Sequence, residues 1–140
     1  LKVEGHHASG DFFRDYEDFF KEADIVSLHA PMNADSKEII NKKSLALMKN
    51  TAIIINTARG GLINEADLAD ALKNGKALFY ASDVAAPEPM TKDNKLYALK
   101  NAAFTPHIAC ASLEARQRLY KVIYENIDAY VNGRSLNRIV

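Results

Sequence analysis

The 140 residues contain one cysteine, Cys110, which excludes an internal disulfide framework and any zinc cluster built on cysteine. Neither charge is in excess: 18 Lys and Arg face 18 Asp and Glu, and the basic residues are scattered. That pattern leaves no electrostatic footprint for a nucleic-acid backbone or an anionic membrane surface. No apolar run approaches the ~20 residues of a membrane span. Residues 1–10 have neither the basic start nor the apolar stretch of a signal peptide. Small-molecule chemistry is therefore the expectation, with no nucleic-acid or membrane partner, in a reducing cytoplasm. An initial Met is also missing, and Leu1-Lys2-Val3 reads as a strand cut from something longer.

What the chain does have is 48% hydrophobic residues, enough for one domain with a real core. Apolar runs bounded by turn signals alternate with helix-period segments, the pattern of an α/β parallel sheet with crossover helices. Strands are expected at 24–28, 52–56, 79–84 and 102–105, with 1–3 as a remnant of an earlier one. The run Ile53-Ile54-Ile55 is β-branched, as in a strand covered on both faces. Helices are expected at 14–23 and 41–48. A third spans 64–74, with Asn64 as cap, Glu65 and Asp67 facing the positive end of the dipole, and Gly75 as terminator. The longest, 112–132, is capped by Ser112 and carries Leu119, Val122, Ile123, Ile127, Tyr130 and Val131 at three- and four-residue spacings, a stripe that must pack on something.

Ligands of open parallel sheets bind beyond the carboxyl ends of the strands. At those ends lie Arg59 in Asn56-Thr57-Ala58-Arg59-Gly60-Gly61, then Asp83, Glu88 between Pro87 and Pro89, and His107 after Thr105-Pro106. Singly, each has a structural reading: Arg59 capping a carbonyl, Glu88 as solvated turn, His107 as a hydrogen-bonded histidine, Asp83 as a turn acceptor. Jointly, an Arg, a carboxylate and a His from successive strand ends supply an anion clamp, a tuner of protonation and a proton donor. Other candidates are weaker. His6-His7 has no third ligand at metal spacing, so no metal is expected. His29 has a structural reading as good as a functional one. Ser27, Ser36 and Ser112 lack a nucleophile elbow, and Cys110 has no third orienting group beside His107.

The runs Asp24-Ile25-Val26-Ser27-Leu28-His29-Ala30-Pro31, Asn56-Thr57-Ala58-Arg59-Gly60-Gly61, Asp83-Val84 with Glu88-Pro89, and Thr105-Pro106-His107-Ile108 resemble the D-isomer-specific 2-hydroxyacid dehydrogenases in order, spacing and context. The resemblance implies the C-terminal part of a Rossmann-like, doubly wound sheet, with residues 1–110 a partial dinucleotide-binding domain. Residues 111–140 are then a helix and tail that return to a substrate domain. It implies that Arg59 holds the substrate's carboxylate and polarised keto group, that His107 is the general acid/base, and that Glu88 pairs with His107. Asp83 would meet the nicotinamide carboxamide. The dinucleotide would be lined by His29, Ala30 and Pro31, by Thr57, Ala58 and Arg59, and by His107, Ile108, Ala109 and Cys110. The implied cofactor is NAD, with NADP as the other possibility because His6 or His7 stands near the place of a ribose-binding acid.

The stretch from Lys92 to Asn101, with His107-Ile108-Ala109 and 114–119, is most similar to the glycerate dehydrogenase (hydroxypyruvate reductase) subgroup, pointing to hydroxypyruvate and D-glycerate. A lactate- or phosphoglycerate-type enzyme, or an NADH-sensing corepressor on the same scaffold, is the alternative. Departures from the family pattern are Phe79 and Tyr80 where small residues are common, and Cys110 where the subgroup often has an aromatic. The family's Gly-x-Gly-x-x-Gly turn is not in the sequence and is expected before Leu1, with most of the substrate domain. The 140 residues alone are accordingly expected to be inactive, and the full-length enzyme to be a homodimer.

Overall fold

The computed structural model describes residues 2–7, 10–77 and 79–138. The chain divides into two compact units, Leu1–Pro106 and His107–Val140.

In the first unit, β1 (Lys2–His7) and β2 (Gly10–Asp15) form an antiparallel pair of their own, with Val3 opposite Arg14. Two expectations change here. The segment 1–3, of which Leu1 lies outside the described residues, does not add a strand to the parallel sheet. Arg14, expected to open a helix, is in a strand, and α1 begins later (Tyr16–Glu22). Antiparallel partners can follow each other closely along the chain, whereas a parallel neighbour needs a crossover of about a dozen residues or more. The side chains of His6 and His7 lie outside those described.

The main sheet has four parallel strands in sequential order: β3 (Ile25–Leu28), β4 (Ile53–Asn56), β5 (Phe79–Ser82) and β6 (Ala102–Phe104). Leu28 pairs with Asn56, Asn56 with Ser82, and Ser82 with Phe104, so the carboxyl ends align along one edge. Each strand is slightly shorter than expected. Beyond β5 the pairing continues through Asp83 N–H to the Asn56 carbonyl (3.0 Å), but the Ser82 hydroxyl then donates to the Val84 carbonyl (2.7 Å) and turns the chain away. The crossover from β4 to β5 contains α3 (Glu65–Lys73), and that from β3 to β4 contains α2 (Lys42–Leu47). The crossover from β5 to β6 has no regular helix among the described residues.

At α2, Asn41 accepts from Lys43 N (2.9 Å) and Ser44 N (3.3 Å), while Ser44 Oγ accepts from Asn41 N (2.9 Å), a reciprocal capping box that was not among the expected caps. The expected cap and terminator of α3 are present. Asn64 Oδ1 accepts from Asp67 N (3.0 Å), and Gly75, at φ 70°, follows α3 in the left-handed conformation that glycine adopts without strain.

Alternation along the strands separates two faces. Val26, Leu28, Ile54 and Tyr80 are buried with Phe20 of α1, Leu45 of α2, and Leu68, Ala69 and Leu72 of α3. Each such aliphatic side chain contributes on the order of 1.5–3 kcal/mol by leaving water. On the other face Ile53 and Ile55 are only partly buried and Ile25 is 59% exposed. The expectation that Ile53-Ile54-Ile55 is covered on both sides is therefore corrected: α1, α2 and α3 all pack against one face. Ile54 alone of the three is fully buried.

The second unit is dominated by α4 (Leu113–Val131), with Ser112 Oγ accepting from Ala115 N (3.1 Å). Of its residues only Ala129 is buried; Leu119, Ile123, Ile127 and Tyr130 of the anticipated stripe are exposed. Among the described residues no helix is long and apolar enough to cross a membrane.

Tyr80, on the buried face, packs edge-on against Phe104 at 5.6 Å between ring centroids. Burial pushes its hydroxyl up to about 12; hydrogen bonds to Ser82 and Asn56 oppose the shift and the Glu65 carboxylate adds to it. A raised phenol stabilises the fold fully below the unfolded value of 10.0, and that contribution is lost as pH rises towards about 12. Unfolding free energy should fall across this window by about 2–3 kcal/mol more in the wild type than in Tyr80→Phe. Denaturant titrations of both proteins from pH 9 to about 12 check this, and identical alkaline slopes would refute it.

Candidate active site at the carboxyl edge of the sheet

The edge is organised by Asn56, the last residue of β4, whose side chain is fully buried. Its Nδ2 donates to the Arg59 carbonyl (2.9 Å) and its Oδ1 accepts from Ala58 N (3.1 Å), folding Thr57-Ala58-Arg59 back over the strand end. Its own carbonyl accepts from Asp83 N (3.0 Å) and lies 3.0 Å from Ser82 Oγ, whose one hydrogen is shared between this carbonyl and that of Val84, so one residue joins the Arg59 loop to the end of β5. A buried amide left unpaired would cost about 1–3 kcal/mol, and here every polar atom of it has a partner.

Arg59 is exposed, with extended backbone (φ −147°), at the start of a 3-10 turn, Gly60–Leu62. Its Nη1 donates to the Ala58 carbonyl (2.6 Å), so the guanidinium caps a carbonyl here. Gly60 is buried against the next loop: a Cβ at this position would stand 2.1 Å from the Ala85 carbonyl carbon and 2.2 Å from its oxygen. Only a residue without a side chain allows the Arg59 loop to touch the backbone that leads to Glu88. Glu88 itself is exposed, and its Oε1 accepts from Ala85 N (3.1 Å). Glu65, the first residue of α3, accepts from Ala86 N (3.1 Å) and from the Asn94 amide (2.5 Å).

Beside these loops a concavity of about 220 Å³ opens at the strand ends, lined by Ile55, Thr57, Ala81, Asp83, Ala103 and Thr105 among others. It lies on the face that α1, α2 and α3 leave uncovered. Asp83 is 8% exposed and accepts the Thr105 hydroxyl. At the end of β3, His29 Nε2 and Ser27 Oγ share a hydrogen bond (2.8 Å), with both residues exposed, and the Pro31 carbonyl accepts from Ser36 Oγ (2.5 Å). Ala30 lies between them and is partly buried.

His107, Ile108, Ala109 and Cys110 open the second unit, all exposed, and Cys110 is a free thiol. His107 has φ 55°, a left-handed conformation uncommon for a residue with a side chain and enriched at functional positions. The Ile108 carbonyl accepts from Ala111 N (2.9 Å). Among the described residues no three His, Cys, Asp or Glu side chains are grouped to hold a metal.

Within the first unit, then, the structure brings together the Arg59 loop, the Glu88 turn, Asp83 and Thr57. Asn56, Gly60, Glu65, Ser82 and Asn94 were not among the expected site residues. Polar Asn56 closing an apolar strand was the available signal for the first of these. Glu65 was read as a dipole partner of its own helix, and nothing local reveals that its carboxylate reaches another loop.

An open parallel sheet with polar loops and a concavity at its carboxyl edge defines a Rossmann-like, nucleotide-binding α/β domain. Residues 2–109 match the family described as D-isomer specific 2-hydroxyacid dehydrogenase, NAD binding domain, and the chain belongs to that family. It is 38% identical over 121 residues to a hydroxypyruvate reductase of Blautia hydrogenotrophica, covering 86% of this chain and 38% of that protein. It is 42% identical over 125 residues to a glycerate dehydrogenase of Methylorubrum extorquens, covering 88% and 40% respectively. Its fold is similar to the NAD-complexed D-isomer specific 2-hydroxyacid dehydrogenase of Lactobacillus delbrueckii ssp. bulgaricus, with a TM-score of 0.80 and 28% identity over 91% of this chain and 42% of that one. The chain thus spans about two fifths of the length of the relatives it matches.

The contact at Gly60 gives a sharp expectation. Gly60→Ala places a methyl group on rigid backbone and should destabilise the fold by about 1–3 kcal/mol. Gly61→Ala meets only the movable Met32 Sδ, at 2.4 Å, and should lose less. Urea unfolding of the two variants ranks them, and a Gly60→Ala protein as stable as wild type would show that the loops do not meet as described.

Proposed function

We propose that this chain is the dinucleotide-binding part of an NAD-dependent oxidoreductase that reduces a small 2-keto acid to a D-2-hydroxy acid, with hydroxypyruvate and D-glycerate as the substrate pair. The observation that carries the reading is the convergence of the Arg59 loop and the Glu88 turn, through the Gly60 contact, beside a concavity that contains a buried carboxylate. The substrate pair is supported by the 92–101 stretch and by relatives named hydroxypyruvate reductase and glycerate dehydrogenase. A corepressor on the same scaffold is not favoured, because these relatives are named as enzymes.

The residues present fit the cofactor. An ionised Asp83 is a pure acceptor with room for several donors and suits a carboxamide's N–H groups, while Ala81 and Ala103 leave space above the sheet for a flat ring. His29, Ala30, Pro31, Thr57, Ala58, Ile108, Ala109 and Cys110 are the further residues we assign to its wall. NADH, when bound, supplies the hydride. Arg59 exchanges the Ala58 carbonyl for the substrate: its planar fork takes the carboxylate and a further N–H polarises the keto oxygen. His107 delivers a proton to that oxygen as it gains negative charge, and removes it in the reverse direction. Glu88 is the carboxylate we assign as the partner of that acid. The outcome is balanced: one hydride to carbon and one proton to oxygen convert a ketone to a secondary alcohol.

A homodimer is the assembly we infer, from the apolar residues exposed along α4. Sedimentation of the whole protein reads this directly, and a monomer at high concentration would reject it. For the chemistry, Arg59→Lys keeps the charge and removes the fork, at a cost of about 1.5–3 kcal/mol for a charge-assisted bond. Steady-state reduction of hydroxypyruvate, glyoxylate and pyruvate by the whole protein should show hydroxypyruvate preferred, and Arg59→Lys should lose about ten- to a hundredfold in kcat/KM. Unchanged kinetics would remove Arg59 from the site.

A further inference from the structure

We propose that Glu65 is a positioning residue that fixes the turn carrying Glu88 relative to the loop carrying Arg59. The inference rests on the roles proposed above for Arg59 and Glu88. Glu65 opens α3, directly after the 3-10 turn that Arg59 begins. A carboxylate there would ordinarily serve its own helix, but Asn64 already takes the N–H of Asp67, and Glu65 reaches outward. Its Oε1 accepts from Ala86 N (3.1 Å) and its Oε2 from Asn94 Nδ2 (2.5 Å).

These two bonds hold the segment between β5 and β6 at two points, Ala86 near its start and Asn94 in its interior. Ala86 adjoins Ala85, whose N–H carries the Glu88 carboxylate, so two carboxylates grip successive peptide N–H groups of one turn. Asn94 in turn accepts from Leu96 N (2.9 Å), and Leu96 is fully buried in the core. Charge-assisted bonds of this kind are shorter and stronger than neutral ones. Together with the Gly60 contact they give the Glu88 turn two independent ties to the Arg59 loop. That matters because a displacement of about 1 Å at a catalytic group can cost on the order of a hundredfold in rate. The ionisable side chains carried by the elements that meet here are Arg59, then Glu65, Asp67, Asp70 and Lys73 of α3, Tyr80 of β5, and Asp83, Glu88, Lys92, Asp93, Lys95, Tyr97 and Lys100 of the segment after it.

The test is the pH dependence of kcat/KM for keto-acid reduction by the whole protein, with Glu65→Ala, Glu65→Gln, Glu88→Gln and the double variant Glu65→Ala/Glu88→Gln beside wild type. Reduction requires a protonated acid, so removing or displacing the Glu88 charge moves the falling limb of the profile towards lower pH. Glu88→Gln should move it furthest. Glu65→Ala should move it the same way by a smaller amount, Glu65→Gln should restore most of the wild-type profile because it keeps an acceptor for Ala86 N, and the double variant should match Glu88→Gln. If Glu65→Ala lowers stability or rate without moving the profile while Glu88→Gln moves it, Glu65 is merely structural and the inference fails alone. Should Glu88→Gln leave the profile unmoved, the reading of Glu88 fails and takes the inference with it. Where Glu65→Ala does not fold, Asn94→Ala removes one of the two bonds that hold the Glu65 carboxylate and decides the matter: a smaller shift to lower pH supports the inference, and an unmoved profile overturns it.

Discussion

The side-chain amide of Asn56 is the interaction on which the carboxyl edge of the sheet depends. A parallel strand must release its chain at that edge, and the released backbone must find partners away from water. Asn56 supplies one donor and one acceptor to the returning Thr57-Ala58-Arg59 loop, and its carbonyl meets Asp83 N and the shared hydrogen of the Ser82 hydroxyl at the end of β5. Its burial fixes where Arg59 starts, where Gly60 meets Ala85, and therefore where the Glu88 turn can lie. An isosteric Asp could not donate to the Arg59 carbonyl, and a Leu would leave both loop groups unpaired.

Within the first unit the two faces of the sheet differ. All three helices of the first unit cover the Val26, Leu28, Ile54 and Tyr80 face, which makes that side rigid and dry. The opposite face presents small and partly exposed side chains at the strand ends, Ala81 and Ala103 among them, around the buried Asp83. Hydrogen bonds among Asp83, Thr105, Ser82 and Val84 order the polar groups at the strand ends.

The sequence by itself determined the α/β class, the four parallel strands to within two residues at each end, and the caps at Asn64 and Ser112, because these follow from local periodicity and from side chains that bond within four residues. It also brought out Arg59, Asp83, Glu88 and His107 as candidates, since strand ends of a parallel sheet are where ligands bind and polar residues there stand out against apolar runs. Tertiary structure alone decided the pairings that span long stretches of chain. Ile53 and Ile55 stayed partly exposed because three helices chose one face. Gly60 acquired its meaning only from Ala85, and Glu65 turned from its own helix to Ala86 and Asn94 because that loop came within reach. Each of these is a contact between residues distant in sequence, formed by the register of the sheet, and no property of either partner alone encodes it.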